Sequence, residues 1–147
     1  MVDTPRHSVS VAGVVTRDDG KILVIRRADN GRWEPPGGVL ELNETFETGV
    51  RREILEETGI EVTVNRLTGV YKNMTRGIVA LVFHCTPTGT PTEDTDGEAR
   101  SIAWMTADEI TQTMTPAYAV RVTDAITQST PQIRAHDGTF LIDATPS

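Results

Sequence analysis

Apolar residues occur along the chain in short runs separated by turn-forming residues, a pattern typical of β-strands. The runs at 8–17 and 21–27 flank the turn sequence DDGK and predict a β-hairpin. The runs at 61–72 and 77–86 meet at the segment NMTR and predict a second pair of strands. The first two thirds of the chain are therefore expected to supply four strands.

Glycine and proline mark the predicted loops. Residues 28–38 contain three glycines and two prolines, which oppose regular structure, so this segment is expected to be a loop. Residues 86–98 consist mainly of turn-forming residues and predict a mobile surface loop. Neither segment has the composition of a long linker, and the whole chain, 1–147, is expected to form one domain.

The last third of the chain predicts a strand, two helices and a final strand. Residues 99–105 form a short apolar run, and Thr106 and Glu109 have the spacing of a capping box that opens a helix. Residues 117–127 predict a second helix, and residues 139–143 predict the last strand. Strands and helices thus mix along the chain, which indicates an α/β fold.

A longer helix is predicted over residues 44–58, with Asn43 as its N-cap and Gly59 closing its C-terminus. An apolar stripe with i, i+4, i+8 spacing is expected to anchor it to the sheet, and comprises Phe46, Val50 and Ile54. At about 100° per residue, three carboxylates share the neighbouring face, those of Glu53, Glu56 and Glu57. Glutamates on helices are usually solvated, so this face needs further support before it indicates a site.

Gly49 lies one turn before Glu53 on the same acidic face. A glycine inside a helix costs about 1 kcal/mol relative to alanine. We therefore expect the missing side chain to provide clearance for a bulky ligand, and Gly49→Ala to raise stability slightly.

The charge balance restricts the possible partners. The chain has 21 acidic and 14 basic residues, a formal net charge of −7, and no basic block. General electrostatic binding to a nucleic acid polymer is therefore not expected. A small anionic substrate is compatible with this charge only if cations mediate its binding.

Cysteine content and hydropathy restrict the kinds of cysteine site and the cellular location that are expected. The single cysteine, Cys85, cannot form an internal disulfide or a thiolate metal cluster, and its apolar neighbours predict a small buried thiol. The sequence has neither an apolar run long enough to span a bilayer nor a signal-peptide pattern at its start. No membrane association and a cytoplasmic location are expected.

The acidic helix lies inside a longer pattern. The sequence GGVLELNETFETGVRREILEETGI, residues 37–60, places Gly38, Glu44, Arg-Glu at 52–53, Glu-Glu at 56–57 and Gly59 at defined spacings. This pattern is similar to the signature of the Nudix hydrolases, and nine of its nine specified positions match. Outside it, the sequence RWEPPGG and the tryptophan of SIAWM resemble MutT-like members, so the resemblance covers roughly residues 8–128.

The resemblance implies the Nudix fold, in which a mixed β-sheet is sandwiched between helices. It also implies a hydrolase that cleaves a phosphoanhydride bond in a nucleoside di- or triphosphate derivative by water attack. Such enzymes use Mg²⁺ or Mn²⁺, hard ions that prefer oxygen ligands. The metals would bridge the substrate phosphates and lower the pKa of the attacking water.

The resemblance also assigns roles residue by residue. The implied metal ligands are the main-chain carbonyl of Gly37 and the carboxylates of Glu53, Glu56, Glu57 and Glu98. Either Glu53 or Glu56 could accept the proton of the attacking water. Arg52 is expected to hold the carboxylates by pairing with one of them or with Glu44. Arg27 is expected to contact a substrate phosphate.

The sequence says less about the rest of the substrate. Aromatic residues are few, and the candidates for stacking on a base are Trp33, Tyr71 and Tyr118, whereas Trp104 is expected in the core. A proline about 16 residues after the signature, found in ADP-ribose members, is absent, which leaves a nucleoside triphosphate type of activity by elimination. The three histidines, His7, His84 and His136, are not expected to contribute, and His136 is expected in a solvated loop.

Two other functions remain open. A Nudix-fold module that senses a nucleotide without cleaving it would fit the same fold, although such modules generally lose signature carboxylates. An isoprenoid diphosphate isomerase would need a catalytic cysteine near the signature, and Cys85 is poorly placed for that role. The expected ligand is a small nucleotide-like molecule, and a homodimer is possible.

Overall fold

The computed structural model describes residues 3–89 and 101–143. Within these ranges the chain forms nine strands and three helices. The strands are β1 Ser8–Val15, β2 Ile22–Arg26, β3 Trp33–Glu34, β4 Gly37–Val39, β5 Val62–Asn73, β6 Ile78–Pro87, β7 Ser101–Met105, β8 Gln132–His136 and β9 Leu141–Ile142. The helices are α1 Phe46–Thr58, α2 Ala107–Thr113 and α3 Pro116–Thr127. None of these helices is long and apolar enough to cross a membrane.

The strands form two sheets. The larger sheet has the strand order β4-β1-β6-β5-β8-β9, and the smaller has the order β3-β2-β7. Strands β1 and β6 pair in parallel, as do β5 and β8, whereas the other neighbours in the larger sheet are antiparallel. The larger sheet is therefore mixed, as expected for the predicted fold class.

Helices cover both faces of the larger sheet, and β1 shows how. Because successive side chains on a strand point to opposite faces, Val11 and Val15 join one apolar cluster with Val50 and Ile54 of α1. Ala12 and Val14 join the other cluster, which includes residues of α2 and α3. The prediction of a mixed sheet sandwiched between helices is confirmed.

The predicted hairpin of the first two apolar runs is wrong. Both runs form strands, but β1 lies in the larger sheet and β2 in the smaller one. Only a single bridge joins them, between Thr16 and Ile22 beside the turn. Strand β1 pairs on its two edges with β4 and β6, and β2 pairs with β3 and β7, so neither strand has an edge left for the other.

The predicted loop 28–38 is also only partly correct, because it contains β3 and the start of β4. Strand β4 packs very close to β1. A Cβ atom added to Gly37 would lie 2.3 Å from the carbonyl oxygen of Val11 and 2.6 Å from the Cβ of Ala12. Gly37 is thus required by strand pairing, and the glycines permit β4 instead of opposing it.

The later predictions are largely confirmed. Strands β5 and β6 match the two central runs, and the capping box of Thr106 and Glu109 opens α2 with both reciprocal hydrogen bonds. Strand β9 and helix α3 lie where they were predicted. Strand β8 was missed. Most of the predicted loop 86–98 lies outside the described residues.

Helix α1 begins two residues later than predicted. Its N-cap is Thr45, whose hydroxyl accepts a hydrogen bond from the Thr48 amide, so the assignment of Asn43 as cap is wrong. Gly59 closes the helix in the left-handed conformation, with φ of 74°, as predicted. In the predicted apolar stripe, Val50 and Ile54 are buried, but Phe46 is 46% exposed and does not anchor the helix.

Candidate active site

The three glutamates of the acidic face line one cavity of about 460 Å³. The opposite side of this cavity comes from the end of β2 and the segment that follows it, including Arg27 and Asp29, and from Glu34 and Gly37. Helix α1 is fixed to the sheet by its buried face, which includes Val50 and Ile54. The helix therefore holds its carboxylates against the opposite wall, where Arg27 and Gly37 are predicted site residues.

Arg52 is the centre of the acidic network. Its guanidinium donates to both carboxylate oxygens of Glu44, at 2.5 and 2.8 Å. It also donates to Glu53 at 2.9 Å, to Glu56 at 3.2 Å and to the carbonyl of Val39 at 3.3 Å. The predicted pairing of Arg52 with these carboxylates is therefore present in the structure.

The pairing of Arg52 with Glu44 shifts the pKa of both side chains. The hydrogen bonds from Arg52 lower the pKa of Glu44 from 4.5 to about 2, with a smaller contribution from the Glu41 amide. The same contact, chiefly with Glu44, raises the pKa of Arg52 further above its ordinary value. Both partners are thus ionised throughout the neutral range, and Arg52 stays a fixed cation among the carboxylates.

Two close approaches tie helix α1 to the glycine pair at the start of β4, Gly37 and Gly38. The amide of Gly37 donates to Glu57 at 2.9 Å. A Cβ added to Gly38 would lie 2.6 Å from the carboxyl carbon of Glu53. The glycine pair of the signature therefore lets the backbone approach two carboxylates closely, which a residue with a side chain would prevent.

Arg27 lies across the cavity from the glutamates. It pairs with Asp29 through two hydrogen bonds, at 2.7 and 2.9 Å, and with Glu34 at 3.3 Å. Burial raises the pKa of Glu34, and the charge of Arg27 partly opposes this shift. The guanidinium is half exposed and reaches the cavity wall, a position compatible with an anionic ligand.

A second cavity of about 480 Å³ adjoins the first. The two share four lining residues, which are Arg27, Asp29, Glu34 and Gly37. Its far wall comes from the turn after β5, from α3 and from the segment after β8, and includes Asn73, Tyr118, Arg121, His136 and Thr139. One continuous depression thus runs from the acidic helix to the carboxyl half of the chain.

The predicted aromatic contacts fare differently. Tyr71 has no exposed surface, and its hydroxyl donates to the buried carboxylate of Asp124 at 2.8 Å, so the prediction that it binds substrate is wrong in this structure. Trp33 is partly buried against the core and lines neither of the two cavities. Tyr118 does line the second cavity. Trp104 packs on the core, as predicted.

Cys85 and Gly49 also have structural roles. Cys85 is fully buried, as predicted, and burial raises the pKa of its thiol to about 12. Gly49 is buried as well, and a Cβ there would lie 2.6 Å from the Leu40 side chain. The expectation that Gly49 leaves room for a ligand is therefore wrong, because the Leu40 side chain already occupies the space beside it.

Oxygen atoms dominate the first cavity, and oxygen is the ligand type that Mg²⁺ and Mn²⁺ prefer. The donor set of Glu53, Glu56 and Glu57 therefore fits the chemistry of such ions. Across residues 3–89 and 101–143, however, no three acidic, histidine or cysteine side chains converge as a ready-made metal site. Arg52 and the Gly37 amide hold the carboxylates instead. Glu98, the further predicted ligand, lies outside the described residues.

Two residues of the second cavity were missed from the sequence. Arg121 lies on α3 and is 8% exposed, and His136 ends β8 and is 1% exposed, so the expectation of a solvated His136 was wrong. A signal for Arg121 was present, because it occupies the middle of the i, i+4, i+8 stripe formed with Ala117 and Ala125, which are buried. Two small residues flanking an arginine on an apolar stripe indicate a buried cation.

Comparison with known proteins agrees with this geometry. A family model described as the NUDIX domain matches residues 6–125. A MutT-like protein of Streptomyces ambofaciens is 61% identical over 140 residues, which cover 95% of this chain and 90% of that protein. The ADP-ribose pyrophosphatase of Methanocaldococcus jannaschii is 41% identical over 83 residues, or 52% of this chain and 48% of that protein.

A solved structure supports the fold. The crystal structure of a NUDIX hydrolase from Nitrosomonas europaea superposes with a TM-score of 0.72 and covers 92% of this chain and 83% of its own. At 20% sequence identity, this likeness shows the fold alone. The family model and the Streptomyces relative show that this chain belongs to the Nudix family.

Proposed function

We propose that the protein hydrolyses a phosphoanhydride bond in a nucleoside di- or triphosphate derivative, using a divalent metal ion. The observation that carries this proposal is the juxtaposition of three signature glutamates and Arg27 around one cavity, with a second cavity continuous with it. With a divalent metal ion bound to the glutamates, the first cavity would accept a diphosphate. The second provides space for the group attached to it.

The carboxylates need a cation to accept an anionic substrate. Glu44, Glu53 and Glu56 share the single positive charge of Arg52. The cluster therefore has an excess of negative charge that repels phosphates. Mg²⁺ or Mn²⁺ held by Glu53, Glu56 and Glu57, with the Gly37 carbonyl and Glu98 as further candidates, would supply positive charge and acidify the attacking water.

Side chains of the protein then position the reacting groups. Arg52 holds Glu53 and Glu56, so their carboxylates keep one orientation on α1. One of these two accepts a proton as the water oxygen bonds to phosphorus, and the phosphorus–oxygen bond of the anhydride breaks to release the second phosphate group. Arg27 binds a phosphate oxygen from the opposite wall.

A sensing module is the second candidate function. Such modules generally lose signature carboxylates, whereas Glu53, Glu56 and Glu57 all remain here and all line the cavity. Hydrolysis is therefore the better supported function. The names of the relatives differ in substrate, so the identity of the attached group rests on experiment.

The deciding experiment is a substrate screen at pH 7–8 with Mg²⁺ and with Mn²⁺. The panel should include nucleoside di- and triphosphates, ADP-ribose, dinucleoside polyphosphates and nucleotide sugars, with phosphate and pyrophosphate release as the readout. We expect turnover of at least one nucleotide, abolished by EDTA and by Glu57→Gln. Turnover that persists in excess EDTA would contradict the metal mechanism, whereas tight binding without any turnover would favour the sensing module.

A further inference from the structure

The guanidinium of Arg121 is buried in the wall of the second cavity. Among residues 3–89 and 101–143, no carboxylate lies within ion-pair distance of it, and its Nε has no hydrogen-bond partner. The rings of Tyr71 and Tyr118 lie 5.3 and 4.5 Å from the guanidinium carbon. An arginine keeps its charge in proteins, so this is a desolvated cation supported by aromatic faces and by the longer-range charge of Glu34, which lines the same cavity.

His136, whose ring lies beside Arg121, cannot neutralise it. His136 Nε2 lies 3.4 Å from Arg121 Nη2. The Gly138 amide donates to the other ring nitrogen, Nδ1, at 2.9 Å, so Nδ1 accepts and the proton of the neutral ring is on Nε2. Burial and the charge of Arg121 lower the pKa of His136, which keeps the ring neutral. Arg121 and His136 therefore present two donors to each other.

Two neighbouring donors with no acceptor between them are unfavourable in a buried wall, because each loses its hydration without gaining a bond. One oxygen atom placed beside both groups would accept from both. Water can meet this need in part, but a guanidinium is best paired by an oxygen that carries negative or partial negative charge. The wall is thus complementary to an acceptor on a ligand.

We propose that Arg121, supported by His136, binds an oxygen acceptor on the part of the substrate that lies beyond the diphosphate, and so determines substrate specificity. This inference rests on the proposed function, which assigns the diphosphate to the neighbouring cavity. The acceptor is either a carbonyl of a base or an oxyanion of an additional phosphate. Both are read by the same donors.

Direct binding tests the assignment without requiring turnover. Dissociation constants are measured by calorimetry with Mg²⁺ present for guanosine monophosphate, adenosine monophosphate and adenosine 3′,5′-bisphosphate, none of which has a phosphoanhydride bond to cleave. Guanine carries a carbonyl where adenine carries an amino group. If Arg121 reads a carbonyl, we expect guanosine monophosphate to bind more tightly than adenosine monophosphate. If it reads an oxyanion, we expect the bisphosphate to bind more tightly.

The variant Arg121→Met keeps a long side chain but removes the guanidinium, so it should abolish that preference. We expect a loss of about tenfold to 100-fold in affinity for the preferred probe alone. Arg121→Lys keeps the charge but not the fork, and should lose part of the preference. Arg134→Met is the matched control, since Arg134 pairs with Asp124 and lines neither cavity. It should lower the melting temperature and leave the preference unchanged.

Three results would overturn the inference. The first is an equal affinity of the wild type for all probes. The second is an equal loss of affinity for all probes in Arg121→Met. The third is a preference that Arg121→Met and Arg121→Lys both retain. Failure of the proposed hydrolysis is separate, because it appears as the absence of turnover with metal whether or not the binding preference exists.

Discussion

Removal of the Tyr71 hydroxyl separates a structural role of this residue from the substrate contact predicted from sequence. The ring is fully buried, and the hydroxyl donates to Asp124, whose side chain is 3% exposed. Tyr71→Phe keeps the ring in place and removes one hydrogen bond to a charged acceptor. A hydrogen bond of this kind contributes about 1.5–3 kcal/mol.

The structure places the expected cost at the lower end of this range. Asp124 still accepts two hydrogen bonds from Arg134, at 2.7 and 2.8 Å, so its carboxylate is not left unpaired. We expect a loss of about 1.5–2 kcal/mol in the free energy of unfolding. For a chain of this length, that corresponds to a fall of roughly 5–8 °C in melting temperature.

The loss should also depend on pH. Burial, with the hydrogen bond to Asp124, raises the pKa of Tyr71 above its ordinary value of 10.0. Above pH 10 the folded state retains a proton that the unfolded state releases. The stability contributed by the Tyr71 hydroxyl is therefore fully present below pH 10 and is lost as the pH rises further. Tyr71→Phe should therefore flatten the alkaline part of the stability curve.

The assay is chemical or thermal unfolding between pH 7 and 11, together with kcat/KM on the substrate found in the screen. Tyr118→Phe is the control, because no hydrogen bond of the Tyr118 hydroxyl is present among the described residues. We expect Tyr71→Phe to lower stability without changing kcat/KM. A tenfold fall in kcat/KM at unchanged melting temperature would refute the argument and restore the substrate role.

Two further predictions concern the acidic network. Glu57→Gln should lower kcat by about 10²-fold to 10⁴-fold while the metal-free melting temperature stays equal or rises slightly, since the Gly37 amide can still donate to the new side chain; near wild-type kcat at saturating Mg²⁺ would contradict this assignment. Arg52→Gln should lower both kcat and melting temperature, and Arg51→Gln, at the exposed neighbouring position, should change neither. The difference in melting temperature between Arg52→Gln and the wild type should disappear as the pH falls from 4.5 toward 2, where Glu44 becomes protonated.

Local signals in the sequence predicted the acidic helix and its pairing with Arg52 well. Capping by Gly59, the box of Thr106 and Glu109, and the spacing of the signature glutamates all depend on residues a few positions apart. Such features need no knowledge of the distant chain. The pairing of Arg52 with Glu44 followed from the same signature.

Non-local pairing was not predictable in the same way. The turn after β1 has hairpin chemistry, yet β1 pairs with β6, far along the chain. Strand β5 carries two register irregularities, after Val64 and after Leu67, and these shift the alternation of faces before Tyr71. Simple alternation therefore cannot show that Leu67 packs on the same apolar cluster as Val62 and Val64. Likewise, only the parallel pairing of β5 with β8 brings His136 into the sheet beside Asn73.

Gly49 shows how packing reverses a prediction based on helix propensity. Gly→Ala in a helix favours folding by about 1 kcal/mol. At this site the new Cβ would lie 2.6 Å from Leu40, 3.3 Å from Glu44 Oε1 and 3.4 Å from Val11. Overpacking of this kind costs about 1–3 kcal/mol. The propensity gain is therefore at best cancelled, and Gly49→Ala should not raise the melting temperature.

The contact with Leu40 can be tested directly by a double-mutant cycle. Leu40→Val shortens the side chain that the new Cβ would meet, so Gly49→Ala should be less destabilising, or even stabilising, in that background. The two changes should couple by at least about 0.5 kcal/mol in chemical unfolding. KM should be unchanged in every variant, because the space beside Gly49 belongs to Leu40 and not to the substrate. Additive effects with a raised KM in Gly49→Ala would show instead that the glycine faces the ligand.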